Sequence, residues 1–190
     1  MVEMLVAVAI LALLAAMWMS SDNPETANDR QRYDDAADVL YRLTQAIVGN
    51  NPTRGQTSFK WVITVYPSKL SDLTKPIVTP AGTNICGAAY GANTTKWINP
   101  FWSKELPTTG ALLANGFTAN DALVRLTAVP TLGGNQAGTM AIRMPSVTLA
   151  DAKGLDLAVD GVLDGNAGTV RYSNASDPTQ VDYYITIAGC

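Results

Sequence analysis

The residues best suited to chemistry lie in Leu155–Gly168, which reads LDLAVDGVLDGNAG. Asp156, Asp160, Asp164 and Asn166 place four oxygen-bearing side chains within eleven positions. Two carboxylates four apart could serve as a general acid and base, and oxygen ligands beside glycine turns could hold calcium. The spacing does not follow the EF-hand loop, and Asp-Gly and Gly-Asn are also ordinary turn pairs. Turn chemistry therefore explains Asp160, Asp164 and Asn166 without a metal, and a solvated face explains Asp156 and Asp160 without catalysis. The chain of 190 residues holds no histidine and two cysteines, Cys86 and Cys190. That removes Ser-His-Asp and Cys-His nucleophile pairs, His-ligated metals and four-thiolate zinc. Thirteen basic against sixteen acidic residues give no surface for nucleic acid. The expectation is a protein that is not an enzyme and needs no cofactor.

The elements that would position these groups begin with an apolar run. Met4 to Met19 contains no polar residue, and Ser20 and Ser21 extend the uncharged stretch. Its length is at the lower limit for crossing a hydrocarbon core of about 30 Å. Ala, Leu and Met favour a helix, which satisfies its own backbone groups in lipid. A secretory signal would start with positive charge, yet no Lys or Arg precedes Arg30. Glu3 heads the run, and a carboxylate there is costly unless paired, which marks it as functional.

The stretch V-E-M-L-V-A-V-A-I-L-A-L-L-A-A resembles the amino-terminal helix of type IV pilins and type II secretion pseudopilins. In that family the mature chain starts with a methylated Phe, then Thr, two apolar residues and Glu. Met1 and Val2 correspond to the apolar pair and Glu3 to the Glu, so the resemblance implies two mature residues ahead of Met1. It also implies a structural role. The subunit waits in the inner membrane and then enters an extracellular or periplasmic filament through its packed first helices. Glu3 pairs there with a neighbour's terminal amine. Partners by resemblance are further copies, other pilins and the pilus assembly machinery.

Residues 22–52 read as a hinge followed by an amphipathic helix. Pro24 lies in a polar break and biases Asn23 away from helix. Tyr33, Ala36, Ala37, Leu40, Leu43, Thr44 and Ile47 then recur at helical spacing, opposite Asp34, Asp35, Asp38, Arg42 and Gln45. Gly49 to Pro52 end the run. With residues 1–21 it would form one long spine.

Residues 53–190 read as a β-sheet domain. Phe59–Tyr66 is aromatic and β-branched, a strand signal, and Tyr66-Pro67 resembles a pilin turn that leads into a short helix. Residues 79–120 lack a period but are too long for a bare loop, and Trp97, Phe101 and Trp102 within them should cover the sheet. Thr139–Met144, Leu155–Asp160, Thr169–Tyr172 and Val181–Ile187 read as four antiparallel strands. The expected fold is α+β and pilin-like, a long amino-terminal helical spine packed on an antiparallel sheet. In an exported domain Cys86 and Cys190 would form a disulfide, with two free thiols as the alternative. A rival function is a membrane-anchored extracellular binding or adhesive domain that does not polymerise.

Overall fold

The computed structural model describes residues 27–49, 57–77, 82–126 and 138–187. Helix α1 spans Ala27–Val48 and buries Tyr33, Ala36, Leu40, Leu43, Ala46 and Ile47, the stripe marked by the periodicity. Asp38 and Arg42 pair on its exposed side. Helix α2, Phe59–Ile63, is a single turn and a half. The Ser58 hydroxyl accepts the Trp61 N–H at its start, and Thr64 closes it in the left-handed region. A 3-10 turn follows at Leu70–Leu73 and another at Gly91–Lys96.

Strands β1, Ala111–Ala114, and β2, Phe117–Ala119, form a hairpin around Asn115-Gly116. Gly116 has φ 86°, as a tight hairpin turn requires. A second sheet holds β3, Val124–Leu126, β4, Thr139–Val147, β5, Val170–Tyr172, and β6, Thr179–Thr186. Its order is β3-β4-β6-β5, antiparallel throughout. Register slips between Met144 and Val147, where Pro145 lacks an N–H and Ser146 has φ 57°. Helix α3, Leu149–Asp160, joins β4 to β5. Met140, Ile142, Met144, Val181 and Ile185 from the sheet share one core with α1 and with Leu155 of α3.

The pilin-like expectation of a long spine packed on an antiparallel sheet is corrected here. Among the described residues α1 covers Ala27–Val48, and no helix is long and apolar enough to cross a membrane. Nor does α1 rest on the sheet alone. Its flanks pack against α3, β1 and α2. The reason is compositional: Asp34, Asp35, Asp38 and Arg42 lie opposite the buried residues of α1, so one stripe suits a core and the rest suits water. Residues 1–21, Pro24 and the remainder of the hinge lie outside the described residues.

Two strand assignments are also corrected. Leu155–Asp160 alternates apolar and polar residues, but it is the second half of α3. Thr148 caps that helix by accepting the Asp151 N–H at 3.1 Å, and Asp177 accepts the Leu149 N–H at 3.0 Å. Gly161 ends it at φ 73°. Leu149, Ala152, Leu155 and Val159 supply a helical stripe that a six-residue window cannot show. Phe59–Ile63 is helical because the Ser58 cap and burial of Phe59 and Ile63 on one side outweigh β propensity.

Candidate functional site

The carboxylate-rich segment folds back on itself. Asp156 is buried at 1 % exposure on α3. Its Oδ2 accepts the Asp164 N–H at 2.9 Å and the Tyr172 hydroxyl at 3.2 Å, while Oδ1 has no hydrogen-bond partner. Asp160 lies one turn along the same helix and accepts the N–H groups of Thr169 and Val170, each at 2.8 Å to Oδ2. Asp164 Oδ1 accepts the Asn166 N–H at 3.0 Å, and the Asp164 carbonyl accepts that of Ala167. Burial holds the Asp156 carboxyl above the usual carboxylate range, against the bonds donated by Asp164 and Tyr172; the neighbouring Asp160 pushes it the same way. Burial and the Asp156 carboxylate together push the Tyr172 hydroxyl up to about 12.

Of the calcium candidates, Asp160 and Asp164 accept backbone N–H groups of residues 166–170, Asn166 being one of the donors through its own backbone, and among the described residues no group of three acidic, Cys or His side chains could hold a metal. The solvated face expected for Asp156 and Asp160 is likewise corrected for Asp156. Its burial follows from the helix, which turns position 156 inward beside Leu155.

A concave surface of about 840 Å³ lies elsewhere, between α1 and residues 98–104. Tyr41, Arg42 and Gln45 of α1 form one wall, and Ile98, Phe101 and Lys104 belong to the other. No acidic side chain is among its described lining residues. Phe101 and Trp102 line it, and Trp97 packs edge-on against Phe101. Phe101 packs edge-on against Phe59, and the Trp97 indole N–H donates to the Asp72 carbonyl at 3.0 Å. Asp72 in turn accepts the Tyr90 hydroxyl at 2.8 Å. The sequence reading passed over this groove. Tyr41 and Ile98 are exposed at 59 % and 77 %, and the available signal was that Tyr41 falls outside the core period of α1.

A third cluster clamps three elements. The Arg32 guanidinium donates to Asp151 of α3, to Asp29 and to the Asn115 carbonyl in the β1–β2 turn. It also stacks over Tyr33 and Phe117, at 5.1 and 5.8 Å from the ring centroids. This is packing by an amphipathic side chain, not an anion site, because its partners are already within the fold.

No family model, curated protein or solved structure matches this chain. Function therefore rests on its own residues. Glu3, Pro24 and Cys190 lie outside the described residues. Among the described residues no cysteine is free.

Proposed function

We propose that the chain is a structural subunit of a type IV pilus or pilus-like filament, polymerising through its apolar amino-terminal segment. The observation that carries the reading is Glu3 at the head of the apolar run Met4–Met19. Burying such a run in lipid or among its own copies gains about 0.8 kcal/mol per CH2. A carboxylate at its head opposes both unless it meets a positive partner. A neighbour's terminal amine satisfies it only in an ordered stack, so the same residue sets register. The subunit waits in the inner membrane and then joins an extracellular or periplasmic filament with further copies, other pilins and the assembly machinery. The Cys86–Cys190 disulfide belongs to the same proposal.

The rival, an anchored binding or adhesive domain, draws support from the groove beside α1. Electron microscopy of full-length protein produced with a pilus assembly system separates the two. Filaments containing the chain are expected. Protein that stays dispersed in the membrane fraction under those conditions overturns the filament reading in favour of the anchored domain.

A further inference from the structure

Two stretches of the chain match the acceptor pattern for N-linked glycans, Asn93-Thr94-Thr95 and Asn174-Ala175-Ser176. Such matches are common by chance, so the shape in which each is held decides between a site and a coincidence. Transfer needs an asparagine amide open to solvent and, two residues on, a hydroxyl free to meet the transferase.

The second stretch forms the turn between β5 and β6. Asn174, Ala175 and Ser176 are exposed, inside an exposed run from Ser173 to Pro178. Neither the Asn174 amide nor the Ser176 hydroxyl has a hydrogen-bond partner among the described residues. The backbone around them is nevertheless fixed. The Ser173 N–H donates to the Thr179 hydroxyl at 3.3 Å, the Ala175 N–H to Ser173 Oγ at 3.2 Å, and Asp177 accepts the Leu149 N–H of α3. The turn is anchored while both acceptor side chains stay uncommitted.

The first stretch is held otherwise. It lies in the 3-10 turn Gly91–Lys96, and Asn93 is half-buried. Asn93 Oδ1 accepts the Thr64 hydroxyl at 3.4 Å, and the Thr95 hydroxyl donates to the Ala92 carbonyl at 2.8 Å. Three residues per turn also set side chains two positions apart about 120° from each other around the axis. The amide and the hydroxyl therefore diverge, and both are occupied.

We propose that Asn174, and not Asn93, is an N-glycosylation site that takes an oligosaccharide from a lipid diphosphate-linked donor. The Asn174 amide nitrogen bonds to the anomeric carbon, the bond from that carbon to the diphosphate oxygen breaks, and the lipid diphosphate leaves. The displaced amide proton passes to a base of the transferase. The glycan is bulky and solubilising, and it disturbs no bond of the fold because the Asn174 side chain makes none. The site rests on the filament reading only in placing this domain outside the cytoplasm.

Peptide mapping by mass spectrometry of full-length protein, isolated from the cells that naturally make it, tests the site. The peptide containing Asn174 should carry added sugar mass, and enzymatic release of the glycan should leave aspartate at that position. The peptide containing Asn93 should be bare. Asn174→Gln and Ser176→Ala should each abolish the added mass, whereas Ser176→Thr and Asn93→Gln should retain it. Urea unfolding of the deglycosylated Asn174→Gln and Ser176→Ala chains should match that of the deglycosylated wild type, which separates loss of the acceptor from loss of the fold. A bare Asn174 overturns the proposal, as does sugar on Ser173 or Ser176 in its place, or equal occupancy of Asn93. Filaments whose Asn174 is bare overturn this site and leave the filament reading intact. Glycan on Asn174 in protein that never assembles keeps the site and removes that reading.

Discussion

Arg143 and Asp182 sit directly opposite each other on β4 and β6 and join through two parallel hydrogen bonds, Nε to Oδ1 at 2.8 Å and Nη2 to Oδ2 at 2.9 Å. Asp182 is 9 % exposed and retains only Gln180 if the arginine is lost. Arg143→Ala should therefore destabilise the protein by about 2 kcal/mol, the scale of a charged hydrogen bond between partly buried groups. Arg143→Lys should recover only part, since an ammonium cannot reproduce the fork. Urea unfolding of both variants measures this, and an Ala variant within experimental error of wild type would show that the pair contributes nothing.

Gly154 in α3 should resist replacement despite its helical position. Helix propensity favours Ala over Gly by about 1 kcal/mol. A Cβ at position 154, however, would fall inside the van der Waals surface of the Tyr33 ring. Gly154→Ala should lower stability by about 1–3 kcal/mol through overpacking between α1 and α3. A thermal melt decides the sign, and a raised melting temperature would mean that the two helices are free to separate.

Asp156 should make stability depend on acidity. Its folded carboxyl holds a proton more tightly than the unfolded one, first through burial and then through Asp160. Stability from that group is present below the unfolded value and is lost as pH rises through the folded one. Asp156→Asn removes the charge and can donate an N–H toward Asp160. The variant should gain on wild type as pH rises from about 4 toward neutral. Unfolding free energies across that range test it, and a constant difference between the two proteins would count against the raised value.

Glu3 should matter for assembly and not for folding. Glu3→Ala is expected to leave the unfolding of the described domain unchanged while filament yield falls. Pelleting and microscopy read the yield, and normal filaments from the variant would remove the pairing role of Glu3.

Cys86 and Cys190 should be joined in exported protein. Mass spectrometry of the unreduced chain should find their two peptides linked. In the chain-entropy model, closing a loop of about 100 residues stabilises by roughly 4.7 kcal/mol. Free thiols at both positions in freshly isolated exported protein would refute the pairing.

The stripe from Tyr33 to Ile47 and the strand patterns within β4 and β6 were legible because each repeats a period over enough residues to define a face. Three to four repeats of a buried position leave one way to orient α1, and the alternating run Val181–Ile187 leaves one way to orient β6. The absence of histidine and the Glu3-headed apolar run are likewise sequence facts, and they bound the chemistry whatever the fold. What only the tertiary structure decided concerns shorter signals. Six residues at Leu155–Asp160 satisfy a period of two, yet the Thr148 cap, the Gly161 stop and the core waiting for Leu155 select a helix. That choice puts Asp156 inside the protein, where its Oδ2 holds a loop through the Asp164 N–H. The groove and the loop held by Asp156 were equally hidden, since each joins residues distant in sequence, Tyr41 with Ile98 and Asp156 with Tyr172. A local pattern records which face a residue prefers; only packing records which other residue will meet it there.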